Sequence, residues 1–210
     1  MMLNAIESLA RLQDGNRRFV ANQTESQAFS GPARRASLVA GQEPFAIILG
    51  CSDSRVPAEL VFDQGFGDLF VIRVAGNIVA PSQIGSIEFA ASRFGTRLVI
   101  VMGHSQCGAV TATLEELMGG ATSRSPHLRA IMDRVRPSAE PLLLDRRGVD
   151  FDVLVSDAVR ANVRASVNQV RHGSDLLKEL VETSGLVVVG AEYSLQTGVV
   201  DFFEGVAIAD

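Results

Sequence analysis

Phe45-Ala-Ile-Ile-Leu-Gly-Cys-Ser-Asp-Ser-Arg55 and Leu98-Val-Ile-Val-Met-Gly-His-Ser-Gln-Cys-Gly108 decide the fold. Each begins with an uninterrupted apolar run, passes through a glycine and ends on a residue able to bind a metal. Runs of this kind, without polar alternation, suit strands covered on both faces, as in a parallel sheet. Leu69-Phe-Val-Ile-Arg-Val74 and Leu186-Val-Val-Val189 repeat the pattern, and Val199 to Phe203 predicts a last strand at the edge. Between these runs lie helical patterns over Ser82 to Phe94, Gly108 to Leu117 and Phe151 to Arg171. Strand alternating with helix predicts an α/β fold, with a central, mostly parallel β-sheet flanked by helices.

Outward from that core the signals are more local. Asn4 to Val20 reads as an amphipathic helix, with Asn4 as cap, Glu7 completing a capping box, and Ile6, Leu9, Leu12 and Phe19 near helical spacing. Residues 23–32, ending in Gly31 and Pro32, read as an extended connection. Residues 1–40 are therefore expected to form an N-terminal helical arm, and residues 41–210 the α/β core, of a single domain spanning 1–210. Ser123 to Asp145 reads as helix and loop. Gly65 and Gly67 read as a turn, since no phosphate-binding glycine pattern with a lysine is present.

Composition excludes several classes. With 47% hydrophobic and 20% charged residues the chain is neither disordered nor a membrane protein in type. A net charge of −5 without a basic stripe argues against nucleic acid and anionic membrane as partners. No apolar stretch approaches the roughly 20 residues that span a bilayer. No basic segment followed by an apolar run opens the sequence, so a cytoplasmic location is expected. The two cysteines, Cys51 and Cys107, do not make the disulfide framework of a small secreted domain.

Their surroundings point to a metal instead. In an open parallel sheet, active groups gather at the carboxyl ends of the strands. If the two opening strands are parallel neighbours, Cys51 and His104 converge there, and Cys107 follows on a turn into a helix. Two thiolates and an imidazole are a borderline-soft set suited to one Zn2+ per chain. Three protein ligands leave a fourth tetrahedral position open, as in a catalytic site, where water ionises to a nucleophilic hydroxide near neutral pH. Asp53 can accept the hydrogen bond of that hydroxide, and Arg55 can hold the Asp53 carboxylate. Taken singly, each cysteine would be a small buried hydrophobe, and Asp53 with Arg55 a surface ion pair. Their conjunction carries the reading.

Cys51-Ser-Asp-Ser-Arg-Val56 and Gly103-His-Ser-Gln-Cys-Gly108 resemble the two signature segments of the β-class carbonic anhydrases. The resemblance extends over Gly15-Asn-Arg-Arg-Phe-Val20, Phe70-Val-Ile-Arg-Val-Ala-Gly-Asn77, Gly85-Ser-Ile-Glu88 and Val189-Gly-Ala-Glu-Tyr-Ser-Leu-Gln-Thr-Gly198. It implies reversible hydration of CO2 to bicarbonate, with Cys51, His104 and Cys107 as zinc ligands and Asp53 and Arg55 as a catalytic dyad. It further implies that Gln42 and the Gly108 backbone N–H contact bicarbonate. Phe70, Ala75 and Phe89 would line an apolar CO2 pocket, some of them reaching in from a partner subunit. A homodimer or homotetramer is accordingly expected. Phe89 stands where plant-like members often carry tyrosine, so a hydroxyl role there is not carried over.

One subgroup of that family has an inhibitory bicarbonate site made of Trp, Arg and Tyr. This chain has Arg73 and Tyr193 in matching places but Ile48 where the tryptophan belongs, so no such site is expected. Arg73 is read as a buried structural partner for an acid, Tyr193 as packing, and His127 and His172 as surface residues. Two other functions share these residues: hydrolysis of CS2 or COS on the same zinc, and zinc binding without catalysis. Zinc-dependent nucleoside deamination is excluded, because its His-x-Glu and Pro-Cys-x-x-Cys pattern is missing.

Overall fold

The computed structural model describes residues 3–25, 30–120, 124–145 and 148–206. Its centre is a five-stranded sheet in the order β2-β1-β3-β4-β5. The strands are β1 (Ala46–Gly50), β2 (Leu69–Arg73), β3 (Leu98–His104), β4 (Val187–Tyr193) and β5 (Val200–Glu204). The first four run parallel and β5 closes the edge antiparallel to β4. Every residue of β1 and β3 is buried, which is why these segments carry no polar alternation.

Helices cover both faces. On one side α1 (Ala5–Val20) and the single turn α3 (Ala58–Val61) pack on Ile48, Ile100, Met102 and Val189. On the other, α4 (Pro81–Arg93), α7 (Phe151–His172) and α8 (Asp175–Thr183) pack on Ile47, Leu49, Val99 and Val101. A third cluster, of α5 (Gly108–Leu117), α6 (Pro126–Asp145) and the first half of α7, encloses Cys51 and Cys107 at the end of the sheet. Each fully buried Ile, Leu or Val contributes roughly 1.5–3 kcal/mol to holding these layers together.

The capping box at Asn4 and Glu7 forms as the sequence predicts. Helix α1 lies against its own core: Asn16 Nδ2 donates to the carbonyls of Val61 and Gly198, and its Oδ1 accepts from Val200 N–H. The end of the stretch read as an extended connection differs: Pro32 opens a short helix, α2 (Pro32–Ser37), because proline is pre-set for the first helical position. Residues 26–29 of that stretch, and Ser123, lie outside the described residues. Helix α6 continues through Pro137 and Pro141, so most of the segment read as helix and loop is one helix.

Helix α7 approaches the sheet so closely that Gly190 has no room for a side chain. A Cβ there would lie 2.8 Å from Val163 Cγ1 and 2.9 Å from Glu204 Cβ. Gly190→Ala should therefore destabilise the chain by about 1–3 kcal/mol through overpacking. Urea unfolding followed by circular dichroism should show a lower midpoint; an unchanged midpoint would mean that α7 and β5 yield freely at this contact.

Candidate metal centre

The parallel register sets Ile47 opposite Val99 and Gly50 opposite Met102. Cys51 leaves β1 as His104 ends β3, both at the carboxyl rim of the sheet. Cys107 follows three residues later, as the cap residue of α5. The ligand atoms of Cys51, His104 and Cys107 all lie within 4.8 Å of one another, and all three residues are buried.

The donor chemistry fits a cation. His104 Nδ1 lies 2.9 Å from the Ser105 carbonyl, which can only accept, so Nδ1 carries the proton. The lone pair is then on Nε2, which is buried, has no hydrogen-bond partner and belongs to the donor cluster. A buried imidazole nitrogen left this way is costly unless something fills the place in front of it. The two thiols add to the case. The Cys51 thiol ionises well below its ordinary range, first because Cys107 donates a hydrogen bond to it, and also through the N–H groups of Asp53 and Gly76. The Cys107 thiol is pushed up, because it is held as that donor, is buried, and would otherwise face the Cys51 thiolate. A thiolate, a thiol that gives up its proton only to a stronger Lewis acid and a bare imidazole nitrogen in one buried space form a donor set that a cation would satisfy.

Beside the cluster, Arg55 grips Asp53. Its Nε and Nη2 donate to Asp53 Oδ1 and Oδ2 at 2.9 and 2.7 Å, and the Arg55 backbone N–H adds a bond of 2.9 Å to Oδ1. The Arg55 guanidinium holds the Asp53 carboxyl far below the usual carboxylate range, so it can only accept hydrogen bonds. Asp53 Oδ2 faces the cluster, 3.9 Å from His104 Nε2.

Sequence reading did not find the outer supports. Arg73 is exposed rather than buried and, among the described residues, pairs with no acid; Nε and Nη2 donate to the carbonyls of Cys51 and Asp53, at 2.9 and 2.5 Å, bracing the loop between them. Carbonyls take the place of the expected acid because Arg73 stands opposite Gly50 in the sheet, beside the loop that begins at Cys51. Gly76 N–H donates to Cys51 Sγ at 3.4 Å. The buried side chains of Asn162 and Ser166 hold the carbonyls of Gly76 and Asn77.

A family model described as carbonic anhydrase matches residues 46–200. The chain is 38% identical over 195 residues to carbonic anhydrase 2 of Mycobacterium tuberculosis, covering 93% of this chain and 91% of that one. It belongs to the β-class carbonic anhydrase family. A carbonic anhydrase of Mycolicibacterium smegmatis is 39% identical over 199 residues, covering 94% and 93%. Among solved structures, the β-carbonic anhydrase CafA of Aspergillus fumigatus superposes with a TM-score of 0.75 at 25% identity, covering 94% of this chain and 91% of that one. Tetrameric β-carbonic anhydrases of Sordaria macrospora share the fold, with a TM-score of 0.75 at 22% identity over 93% and 96%.

The site residues expected of a carbonic anhydrase fall into two groups. Ala75 and Gly108 border the cluster, one beside the Gly76 contact and the other directly after Cys107. Gln42, Phe70 and Phe89 stand apart from it within the chain. Gln42 is exposed before β1, at the opposite end of that strand, on a cavity of about 540 Å³ shared with Arg34, Leu38 and Glu43. Phe70 lies opposite Ile47, three residues down the strand from the rim, or about 10 Å. It forms a ring cluster with Phe94 and with Phe89, which is 53% exposed. Ile48 is fully buried in β1 and Tyr193 is buried beside Phe19, while His127 and His172 are exposed. No helix among the described residues is long and apolar enough to cross a membrane.

A three-donor set fails when one donor is removed. The parent chain should carry one zinc, and Cys107→Ala should carry none after purification, as read by elemental analysis. Stoichiometric zinc in the variant would remove Cys107 from the donor set.

Proposed function

We propose that this chain hydrates CO2 reversibly to bicarbonate and a proton, with Cys51, His104 and Cys107 holding one Zn2+. The observation that carries the reading is the buried three-donor cluster with the Asp53–Arg55 pair beside it. Bound there, zinc supplies a Lewis acid that brings the ionisation of water towards neutral pH. The remaining work falls to the protein.

Asp53, kept ionised and immobile by Arg55, accepts the hydrogen bond of the attacking water and so turns a lone pair of that oxygen towards CO2. A carboxylate that only accepts selects an oxygen that still carries a proton. Arg73 prevents the loop between Cys51 and Asp53 from drifting, which keeps the carboxylate at a fixed distance from the cluster. The Gly108 N–H, at the start of α5, donates to the developing bicarbonate, where the positive end of the helix also favours an anion. Ala75 forms part of the apolar wall against which uncharged CO2 rests.

Gln42, Phe70 and Phe89 enter the reading through a second copy of the chain. They stand apart from the cluster of their own chain, and Phe89 leaves much of its ring exposed. A homodimer or a tetramer of dimers that brings these residues to a neighbouring cluster would complete the pocket. Tetramers among the Sordaria macrospora relatives support this assembly. With Ile48 sealed inside the sheet and the Arg73 guanidinium occupied by two carbonyls, no inhibitory bicarbonate site is proposed.

Stopped-flow CO2 hydration on protein of known zinc content tests the reading. Turnover should rise in proportion to zinc, and Asp53→Asn should keep zinc while losing about 10²–10⁴-fold in kcat, the usual contribution of a group that positions or moves a proton. Zinc-loaded protein that releases sulfide from CS2 or COS but leaves CO2 untouched would reassign the substrate. Inertness towards all three would leave a zinc-binding protein without catalysis.

A further inference from the structure

Helix α7 presents an apolar face to the sheet and to α5 and α6, with Leu154, Val155, Ala158, Val159, Val163, Val167 and Val170 all buried. Two polar residues interrupt that face. Asn162 and Ser166 lie one turn apart and are only 2% and 3% exposed. Both reach the same target. Asn162 Nδ2 donates to the Gly76 carbonyl at 2.8 Å, and Ser166 Oγ donates to the Asn77 carbonyl at 3.1 Å.

Those carbonyls belong to the short 3-10 turn Ala75–Asn77, where Gly76 has φ +69° and Asn77 φ +43°. Two successive left-handed residues, one of them not glycine, form a strained turn that persists only when its surroundings hold it. A Cβ on Gly76 would lie 3.1 Å from Ala109 Cβ, so glycine also lets the turn sit against α5. The N–H of this residue is the one that donates to Cys51 Sγ. Glycine has the freest backbone of any residue, and its N–H keeps one direction only if the peptide on its other side is fixed. Asn162 fixes that peptide.

We propose that Asn162 is a positioning residue of the metal centre: by holding the Gly76 carbonyl it aims the Gly76 N–H at Cys51 Sγ. The bond from N–H to sulfur commits one lone pair and leaves another for the metal, and it draws charge from the sulfur. Asn162 touches neither the donor cluster nor any reacting atom, and acts through one peptide unit. Outer partners of this kind typically change metal affinity by about 10–100-fold. The inference rests on the reading that Cys51, His104 and Cys107 bind a metal.

The test compares the parent with Asn162→Leu, which keeps the volume and removes the donor, and with Ser166→Ala, whose lost bond lies one peptide further from the sulfur. Zinc affinity is measured by chelator competition, and the sulfur-to-metal charge-transfer band is recorded on the cobalt(II)-loaded proteins. Asn162→Leu is expected to bind zinc about 10–100-fold more weakly and to displace the band, with smaller changes in Ser166→Ala. Parental affinity with an unmoved band in Asn162→Leu would overturn the proposal. Should that variant not fold, Asn162→Ser, too short to reach Gly76, is read in the same way. The parent loaded with NMR-active cadmium gives a check without mutation. The Gly76 amide proton should show scalar coupling to the metal through sulfur, and the absence of coupling would overturn the proposal. A parent chain that takes neither zinc, cobalt nor cadmium would instead overturn the ligand reading, and this inference with it.

Discussion

The centre depends on the register between β1 and β3. Gly50 faces Met102 in a parallel pair, so Cys51 is level with Gly103, and His104 projects one step further along the same rim. Each residue of slip would move one donor along the rim relative to the other by about 3.3 Å, more than the roughly 2.0–2.3 Å length of a metal–donor bond. Burial on both faces of the two strands makes such a slip prohibitive, because their whole apolar content would have to repack. The third donor needs no separate device. Chain leaving β3 must turn into α5 to cover the sheet, and Cys107 caps that helix. The same fold decision that buries Ile100 and Met102 therefore assembles the donors.

Electrostatics then explains why the assembled site calls for a cation. Two thiols and an imidazole share a buried space where only the first ionisation is easy. The neighbouring carboxylate does not relieve this, since Asp53 is itself negative; Arg55 fills three of its acceptor sites, two on Oδ1 and one on Oδ2. Held this way, Asp53 stays beside the cluster, with Oδ2 3.9 Å from His104 Nε2. Arg73 and the Gly76 N–H form the next layer, the first fixing the loop backbone and the second one sulfur.

How much of this was legible follows from how local each signal is. The strands were readable as apolar runs, but β3 and β4 run past where their runs stop. Gly103, His104 and Gly190 to Tyr193 stay in the sheet because β3 and β4 go on pairing as far as His104 and Tyr193. Helix α5 falls on the segment its pattern predicts, whereas α3, only four residues long, is too short for periodicity to reveal. Helix α8 carries its own signal in Ser174, which caps it, and in the buried Leu177. Cys51, Asp53, Arg55, His104 and Cys107 were legible because each lies within a few residues of a strand end. Arg73 and Asn162 act on backbone carbonyls, which leave no mark in a sequence. Gln42 before β1, Phe70 low on β2 and Phe89 on α4 stand apart from the cluster because of where the fold places those elements, and motifs do not encode that.

The sheet rim, read as a metal site, offers two sulfurs and one nitrogen and leaves a fourth position free. X-ray absorption at the zinc edge of the purified chain reads that donor set directly. Two sulfur neighbours near 2.3 Å and two nitrogen or oxygen neighbours near 2.0–2.1 Å are expected, with the second light-atom neighbour exchangeable for an added anion. Zinc surrounded by four protein donors that no anion displaces, or by no sulfur at all, would contradict that reading.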